Sequence, residues 1–357
     1  MKVLYAIQAT DSGHIGRANE IIPYLETKCE LDILVSGPGA DMELDHFIKY
    51  RRKGAGFAFA KKGGIDLLKT WQNLRSKKFL NEINSFPVEE YDLVINDFEP
   101  ISAWACKIKN IPCVALSHEY ALLHKASPRP FKADPMAWLV LRYYAPCKTG
   151  IGFHFKRYAE NIFLPVIPNE IRHAYTRNLG HYTVYLPTYH EDKLVKFFSF
   201  FTNIQWHIFS GSCKSSYGID NCWVRPLNHF EFTGSFINCE GIICAAGFET
   251  PAQALFMQKK LLVVPGKQQF EQKCNAAAMV EYGIPGIKNF KKKQRFIIED
   301  WISKKQQVPV NFPDETEKII DMILSGSLTG NNINTDKITG TLPALKELII
   351  LPAAAMN

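Results

Sequence analysis

The chain reads Ala246-Gly-Phe-Glu-Thr-Pro-Ala-Gln-Ala-Leu-Phe-Met-Gln-Lys-Lys-Leu-Leu-Val-Val-Pro265 in its second half and continues, a few residues later, with Glu271-Gln-Lys-Cys-Asn-Ala276. This pattern predicts the end of a strand, a tight glycine turn, a helix, a buried strand, a polar loop and another helix. The loops at the carboxyl ends of parallel strands form the ligand crevice of an α/β sheet. Because a helix N-terminus at such a crevice attracts phosphate, the stretch predicts a site for a nucleotide diphosphate, and in particular for a sugar nucleotide.

Length and composition are those of a globular protein with two domains. The chain has 357 residues, of which 46% are hydrophobic and 22% charged, and it contains no apolar run long enough to predict a spanning helix. The first apolar run meets Thr10 and Asp11 too early for a signal peptide. We therefore interpret residues 2–9 as a first strand.

Cysteine spacing and net charge indicate which compartment, ligands and partners are compatible with the chain. The nine cysteines form neither a CxxC pair nor a Cys/His ligand spacing. This argues against zinc and against a disulfide framework, and it favours a reducing compartment: the cytoplasm, either free or at the inner face of the membrane. The net charge of +7 fits anionic substrates or an anionic membrane surface. Nucleic acid is not predicted as a partner, because no recognition motif accompanies the charge.

Short apolar strands alternate with helices in both halves of the chain, which predicts parallel sheets with helices on both faces. We assign residues 1–165 to an N-terminal domain, residues 166–325 to a C-terminal domain and residues 326–357 to an irregular tail. The predicted strands are 2–9, 31–36, 91–97, 112–117, 182–187, 205–210, 241–246 and 261–265. The predicted helices are 17–28, 100–109, 191–201, 228–239, 250–257 and 271–282, and residues 10–16 are predicted to be a turn.

Two segments stand out by composition. Residues 289–295 form a basic run, which we interpret as a solvated surface loop. Residues 129–146 mix Trp138, tyrosines and leucines with basic residues that include Arg142. An interfacial membrane patch has this composition, and so does a core helix with exposed arginines. The sequence leaves both interpretations open.

Short polar motifs follow the predicted strand ends over residues 1 to about 285, namely Gly13-His14-Ile15-Gly16-Arg17-Ala18, Asn96-Asp97-Phe98-Glu99-Pro100, Ser117-His118-Glu119, Gly247-Phe248-Glu249-Thr250, Gln269-Phe270-Glu271-Gln272 and Asn275-Ala276. They resemble motifs of glycosyltransferases with the GT-B fold, in which two Rossmann-like domains with parallel sheets face each other across a cleft. The similarity is to the peptidoglycan N-acetylglucosaminyltransferase and diacylglycerol glycosyltransferase group. The pattern is most similar to that of a poorly characterised microbial branch.

The resemblance assigns donor binding to the C-terminal motifs, including Phe248. Gly247 lets the backbone approach the ligand without a Cβ in the way. Thr250, near the helix start, either caps the helix or binds phosphate together with free backbone N–H groups. In the peptidoglycan enzyme, an acidic residue three positions later binds the ribose hydroxyls. Here that position is Gln253, whose amide lacks the charge of a carboxylate, and Glu249 is the candidate to compensate.

The loop and helix after residue 265 supply further amides. Gln272 and Asn275 resemble the polar pair that binds the donor sugar in the family, and an amide can donate to one hydroxyl while it accepts from another. Gln269 and Gln268 flank the same loop, and Gln269 is grouped with the donor-binding residues. The alternative is an ordinary solvated polar loop.

Two N-terminal residues are candidates for the catalytic base. Inverting transferases need a base that deprotonates the acceptor hydroxyl, and the imidazole of His14, after the first strand, suits that role near neutral pH. Asp97 is the competing candidate, because it ends a buried strand. Its alternative role is to cap the helix that begins near Pro100.

The remaining N-terminal candidates are expected on the acceptor side of the cleft: Gly13, Arg17, His118 and Glu119. Arg17 either faces the leaving diphosphate or pairs with an acid, and His118 is equally compatible with a structural role in a turn. No Asp-x-Asp lies at a convincing strand end. We therefore expect no metal and no cofactor, with the leaving charge stabilised by a helix N-terminus and basic groups.

The main functional prediction is inverting, metal-independent transfer of a hexose or N-acetylhexosamine from a UDP-sugar to an acceptor hydroxyl. The predicted acceptor is lipid-linked or otherwise amphipathic, with peripheral membrane contact. One alternative is a sugar-nucleotide epimerase or hydrolase on the same fold. Another, motivated by Gln253, is a nucleotide-sugar-binding protein that has lost catalysis.

Overall fold

The computed structural model describes residues 1–9, 12–39, 44–54, 76–131, 134–267, 269–305 and 308–328. Within these ranges the chain forms two sheets, each covered by apolar clusters on both faces. In β1 (Lys2–Gln8), for example, Val3 and Tyr5 face one cluster while Leu4 and Ala6 face the other. The tail predicted for residues 326–357 lies outside the described residues from residue 329 onward.

The first sheet has the strand order β3-β2-β1-β4-β5-β6-β7, and all its neighbouring strands are parallel. Its remaining strands are β2 (Glu30–Ser36), β3 (Tyr50–Arg52), β4 (Leu93–Asp97), β5 (Cys113–Ser117), β6 (Thr149–Phe153) and β7 (Ile162–Phe163). Parallel pairing requires crossovers, which the helices provide.

The second sheet has the order β10-β11-β9-β8-β12-β13, and it is parallel except for the antiparallel edge strand β10. Its strands are β8 (His181–Tyr185), β9 (Gln205–Ser210), β10 (Tyr217–Ile219), β11 (Cys222–Pro226), β12 (Gly241–Ala245) and β13 (Lys260–Val264). An antiparallel edge on an otherwise parallel sheet is common in folds of this class.

The described helices are α1 (Ser12–Glu26), α2 (Lys77–Ser85), α3 (Pro100–Lys109), α4 (His118–Leu123), α5 (Pro135–Tyr144), α6 (Asn169–Arg172), α7 (Glu191–Phe198), α8 (His229–Asn238), α9 (Glu249–Phe256), α10 (Phe270–Val280), α11 (Arg295–Ser303) and α12 (Thr316–Leu324). Every strand and helix predicted from the sequence is present, with ends that differ by a few residues. The sequence missed β3, β7 and α6, whose runs of two to four residues carry little periodicity, and it also missed longer helices, among them α2, α11 and α12.

The first helix corrects one prediction. Residues 10–16 were expected to form a turn, but α1 begins at Ser12, so Gly13 and His14 lie in its first turn. Thr10 and Asp11 lie outside the described residues. The glycines at positions 13 and 16 concealed this turn of helix, because glycine lowers helix propensity without preventing a helix.

Strand order places the predicted motifs at one edge of each sheet. In the first sheet the connections leave β1 and β4 in opposite directions, and in the second sheet they do so at β8 and β12. A ligand crevice forms outside the carboxyl ends of the strands at such a reversal. His14 follows β1, Asp97 ends β4, and Gly247 follows β12.

Helix α5, within the segment at residues 129–146, forms part of the core. Its residues Ala137, Val140, Leu141 and Tyr144 are buried, as expected for a core helix, but Arg142 is buried as well instead of exposed. Phe131 nevertheless remains fully exposed just before the helix, so contact with a membrane stays a prediction. In the basic run at residues 289–295, the three consecutive lysines are exposed, and the run ends in a short 3₁₀ turn that leads into α11.

The last described helix, α12, returns to the first half of the chain and packs on α1. Its buried residues Ile319, Ile320 and Ile323 belong to the same apolar cluster as Ile21 and Leu25 of α1. Surface ion pairs line the contact, but exposed pairs contribute at most about 1 kcal/mol each. Apolar burial is therefore the main contribution that holds this end of the chain.

Among the described residues, every helix falls short of the length and apolar character needed to cross a bilayer.

Gly152 in β6 allows α4 to lie directly on the first sheet. A Cβ at Gly152 would lie 2.6–2.7 Å from the Cβ, Cα and N atoms of Ala121 in α4. We expect Gly152→Ala to lower the free energy of unfolding by about 1–3 kcal/mol, because α4 must shift. Gly234→Ala is the control: it lies in α8, where no atom of the described residues is within 4 Å of an added Cβ, and it should be neutral or slightly stabilising. Urea denaturation compares them, and equal stabilities for the two variants would contradict the argument.

Candidate functional site

A cavity of 190 Å³ opens between the two halves of the chain, at the carboxyl ends of both sheets. It brings together ten of the residues predicted from the sequence: Gly13, His14, Arg17, His118 and Glu119 from the first half, and Gly247, Phe248, Glu249, Thr250 and Gln272 from the second. Asp97 lies behind His14 and contacts it. The two predicted regions therefore face each other.

Five lining residues were not predicted as site residues: Tyr185, Pro187, Cys244, Ala245 and Glu271. Tyr185 and Pro187 come at and just after the carboxyl end of β8, which is one of the two strands at the reversal of the second sheet. Their position after a predicted strand could have identified them as site residues from the sequence, because residues at that edge form the ligand crevice.

Arg17 connects two acidic groups in a buried position. Its side chain is only 2% exposed, and its Nη2 donates to Asp97 Oδ1 at 2.7 Å and Oδ2 at 3.0 Å. Its Nη1 donates to Glu249 of the second half. Arg17 therefore pairs with an acid, which is one of its two predicted roles. It also joins the two halves electrostatically, and the carboxylates raise its pKa although burial alone would lower it.

His14 lies between two carboxylates. Its Nδ1 is 2.9 Å from Asp97 Oδ1, and its Nε2 is 3.4 Å from Glu119 Oε1. Burial alone would lower the pKa of His14, but Asp97 and Glu119 together raise it well above its ordinary value. In turn, although burial raises the pKa of Glu119, the charges of His14 and Arg17 bring it down to about 2. His14 and Asp97, predicted as competing bases, are hydrogen-bonded partners.

Glu99, rather than Asp97, caps the helix after β4. The Glu99 carboxylate accepts from the backbone N–H groups of Ile101 at 2.9 Å and Ser102 at 2.7 Å. This overturns the alternative role considered for Asp97. The intervening Phe98 has a φ of 55°, and this left-handed residue turns the chain between strand and helix. The turn leaves the Asp97 carboxylate directed at Arg17 and His14.

Two helices begin at the cavity without a side-chain cap. Neither α9 nor α10 has a capping hydrogen bond from its N-cap residue. Thr250, in the first turn of α9, lines the cavity instead of capping the helix. An added Cβ at Gly247 would meet nothing within 4 Å among the described residues, so open space lies beside the backbone there. Free N–H groups at helix N-termini attract anions.

Three predicted donor residues are directed elsewhere in this structure. Gln253 and Gln269 are half-buried and do not line the cavity. Asn275 is fully buried: its Oδ1 lies 2.8 Å from His118 Nε2, and its Nδ2 donates to Ala246 O at 3.1 Å. Their roles in donor binding stay predictions. In the present arrangement the side chain of Asn275 is committed to protein partners.

His118 is a second junction between the halves. Phe248 stacks on its ring, with a centroid distance of 4.0 Å and an angle of 5°. The His118 Nδ1 lies 2.8 Å from the carbonyl oxygen of Phe153, and burial lowers the pKa of the ring to about 4. Both ring nitrogens therefore already contact protein atoms, and contact with an acceptor stays a prediction for this residue.

His14, Asp97 and Glu119 are also the one group among the described residues whose ligand atoms could together hold a metal ion, since these atoms lie within 4.8 Å of one another. Arg17, however, donates to both oxygens of Asp97 and supplies positive charge at the same place. The expectation of a metal-free reaction stays a prediction.

Sequence comparison identifies the family. The profile described as glycosyl transferase family 1 matches residues 1–303. The chain belongs to glycosyl transferase family 1. This glycosyltransferase is therefore an enzyme of the predicted class, although no curated protein matches it in sequence.

Solved structures with the same fold are also glycosyltransferases. The glycosyltransferase SnogD from Streptomyces nogalater is 14% identical, with 91% of this chain and 99% of that chain covered and a TM-score of 0.53. UGT2 of Phytolacca americana, complexed with UDP-2fluoro-glucose and pterostilbene, is 10% identical, with coverage of 98% and 93% and a TM-score of 0.53. VinC, in complex with dTDP, is 13% identical, with coverage of 98% and 99% and a TM-score of 0.51. The predicted GT-B architecture is thereby confirmed.

The two roles considered for Asn275 can be separated experimentally. Asn275→Ala leaves a buried nitrogen of His118 and the Ala246 carbonyl without a partner, so we expect the free energy of unfolding to fall by about 1–3 kcal/mol. The control is Asn238→Ala, which removes a single exposed contact to Gly234 O and should cost less than about 0.5 kcal/mol. Urea denaturation measures both. Unchanged stability of Asn275→Ala together with weaker binding of nucleotide sugar would instead favour direct donor contact.

Proposed function

We propose that this glycosyltransferase is inverting and metal-independent, and that it moves a hexose or N-acetylhexosamine from a UDP-sugar to an acceptor hydroxyl. The observation that carries the proposal is the His14–Asp97 hydrogen bond, placed across a cavity from the uncapped N-terminus of α9. One side of the cavity thus offers a base, and the other side offers a site for a leaving anion.

The donor diphosphate binds, in this proposal, at the second half of the chain. The first turns of α9 and α10 lie at the cavity without a cap from the N-cap side chain, so an anion can bind at these helix starts, and Thr250 adds a hydroxyl. Gln272 also lines the cavity, although its Oε1 accepts from the backbone N–H of Gly266 at 2.9 Å. UDP is the proposed nucleotide, and UGT2 was solved with a UDP-sugar while VinC was solved with dTDP. Both are pyrimidine diphosphates, so the experiments below include both.

The carboxylate of Glu249 competes with the incoming diphosphate for Arg17. It occupies the first turn of α9 and pairs with Arg17, so a carboxylate already satisfies the cation nearest to the phosphate site. In the proposed reaction the diphosphate takes the place of Glu249 on Arg17. The guanidinium then stabilises the charge that develops on the leaving group.

The base in this mechanism is neutral His14. Nδ1–H donates to Asp97, which leaves the Nε2 lone pair on the side of Glu119. As the acceptor oxygen attacks the anomeric carbon, its proton moves to Nε2 and the bond to the diphosphate breaks on the opposite face, which inverts the configuration. Asp97 stabilises the imidazolium that forms. The same carboxylates raise the pKa of His14, so the imidazole has to lose a proton and reach its neutral form before it can act as the base.

Glu119 supports an acceptor site beside His14. Its Oε2 is buried without a hydrogen-bond partner among the described residues, although the residue lines the cavity. A buried carboxylate oxygen without a donor is costly, and an acceptor hydroxyl would satisfy it. Gly13, in the first turn of α1, borders the same space.

Three further expectations stay predictions. They are a lipid-linked or amphipathic acceptor, a location at the cytoplasmic face of a membrane, and the closer resemblance to the peptidoglycan group.

Gln253 motivates a second candidate function. It replaces the acidic residue that the family resemblance leads one to expect, and it does not line the cavity. A protein that binds nucleotide sugar without transferring it is the alternative that follows from this residue. An epimerase or hydrolase would use the same cavity without an acceptor.

A transfer assay separates these functions. The protein is incubated with radiolabelled UDP- and dTDP-sugars, with and without membrane extract. We expect label in an acceptor product for wild type and at least a hundredfold loss of turnover for His14→Ala, because the base contributes about 10²–10⁴-fold. Donor binding should persist in this variant. The control His229→Ala, whose side chain is 76% exposed, should keep full activity.

Each other outcome of this assay has a distinct meaning. Conversion of the donor without an acceptor favours the epimerase or hydrolase, and binding without turnover favours the inactive binding protein. If no nucleotide sugar binds or reacts, the proposal fails.

Glu249→Gln tests the placement of the diphosphate. Removal of the carboxylate frees Arg17 for phosphate, so we expect UDP to bind about three- to tenfold more tightly, a gain of about 0.7–1.4 kcal/mol. Isothermal titration calorimetry measures the affinity. Glu299→Gln, the same change at an exposed position of α11, controls for the altered net charge. Weaker UDP binding by Glu249→Gln alone would contradict the displacement and would place Glu249 among the donor ligands.

A further inference from the structure

A second and larger cavity, of 570 Å³, lies in the first half of the chain and away from the transfer site. It opens at the amino ends of β5 and β6, where Cys113 and Thr149 line it. The transfer site lies beyond the opposite, carboxyl end of β5, about 13 Å away along the four steps of the strand. The two cavities therefore do not share a mouth.

The walls of this second cavity are mainly apolar. Ile111, Val114, Leu123 and Ala145 contribute aliphatic surface, and Tyr143 contributes an aromatic ring. A volume of 570 Å³ lies within the range of sites for small molecules, which are lined mostly by apolar groups with a few polar ones.

Three cations converge on the same cavity. Lys107 comes from α3, Arg142 from α5, and Lys148 from the loop before β6. No carboxylate is found among the described residues that line it. The charges act on one another: besides desolvation, the positive charges of Lys148 and Arg142 lower the pKa of Lys107.

The dipoles of two helix ends offset only part of the positive charge at this cavity. Lys107 and Arg142 lie in the last turns of α3 and α5, where cations complement the helix dipole. Each helix end carries roughly half a negative charge, so two ends offset about one of the three positive charges. Lys107 and Lys148 by themselves leave net positive charge beside an apolar wall, because the end of α3 offsets only about half of one charge.

We propose that this cavity binds an anionic amphiphile: a molecule with a carboxylate or phosphate head and an apolar chain. The head lies between Lys107 and Lys148, with Arg142 behind them, and the chain lies along Val114 and Leu123. This site is separate from donor and acceptor binding, so it stands whether or not the proposed transfer reaction does.

Thiols in the cavity wall give a direct readout of occupancy. Cys113 and Cys147 line the cavity, both are half-buried, and their Sγ atoms lie 3.5 Å apart. A bound chain would shield them from alkylation by N-ethylmaleimide. Cys29, half-buried at the junction of α1 and β2, is an internal reference that should react at the same rate with and without ligand.

The test measures binding to the full chain by calorimetry, below micellar concentrations. Dodecanoate and dodecyl phosphate are the probes, and dodecyltrimethylammonium and inorganic phosphate are the comparison ligands. We expect one equivalent of either anionic amphiphile to bind at least tenfold more tightly than the cationic one or inorganic phosphate. A preference between the two anionic heads identifies which class of amphiphile fits best. Saturating UDP should leave the affinity unchanged.

Matched variants locate the site. Lys107→Gln with Lys148→Gln should weaken binding of the anionic probes at least tenfold. The control pair Lys291→Gln with Lys292→Gln, on the exposed basic run, should have no effect. Ala145→Trp fills the cavity and should abolish binding, and a circular dichroism melt establishes that the variant is folded. If it does not fold, the lysine pair and the thiol rates still decide the question.

Several results would overturn the proposal. They are the absence of dodecanoate and dodecyl phosphate binding, equal binding of the cationic amphiphile, unchanged affinity in the Lys107/Lys148 variant, and unchanged alkylation of Cys113 and Cys147 at saturating probe.

Discussion

The guanidinium of Arg17 is the constraint on which the site depends. It is almost fully buried, holds both oxygens of Asp97 in the first half, and donates to Glu249 in the second. Removal of one member of a buried charge network costs about 3–5 kcal/mol, because a charge is left without its partner. The orientation of Asp97, and through it of His14, therefore follows from Arg17. The same residue also links the two halves across the cavity.

Apolar and neutral contacts complete the junction beside this charge network. Phe248 from the second half stacks on His118 from the first, and Asn275 contacts the same ring. The close approach of α4 to β6 at Gly152 places His118 and Glu119 at this junction. Several residues that form the cavity thus also join the halves, so motion between the halves would alter the cavity and these contacts at once.

Electrostatics distinguish the two cavities. At the transfer site, carboxylates surround the cations, so an incoming diphosphate has to compete with Glu249 for Arg17. At the amino ends of β5 and β6, cations converge without a carboxylate among the described lining residues. The first arrangement suits an anion that arrives and leaves during a reaction. The second suits an anion that stays bound.

The sequence by itself determined the alternation of strands and helices, the two sheets and the position of each polar motif at a strand end. These features follow from local periodicity and from the rule that loops at the carboxyl edge of a sheet form the crevice. It also placed Thr250 and Gln272 at the cavity. Only the tertiary structure decided that His14 and Asp97 are partners rather than rivals, that Glu99 caps α3, and that Asn275 faces His118 instead of open space. Those outcomes depend on contacts between side chains that are distant in the chain, and on which of two neighbouring acids accepts from the backbone N–H groups of α3. Sequence spacing carries no information about these three-dimensional distances.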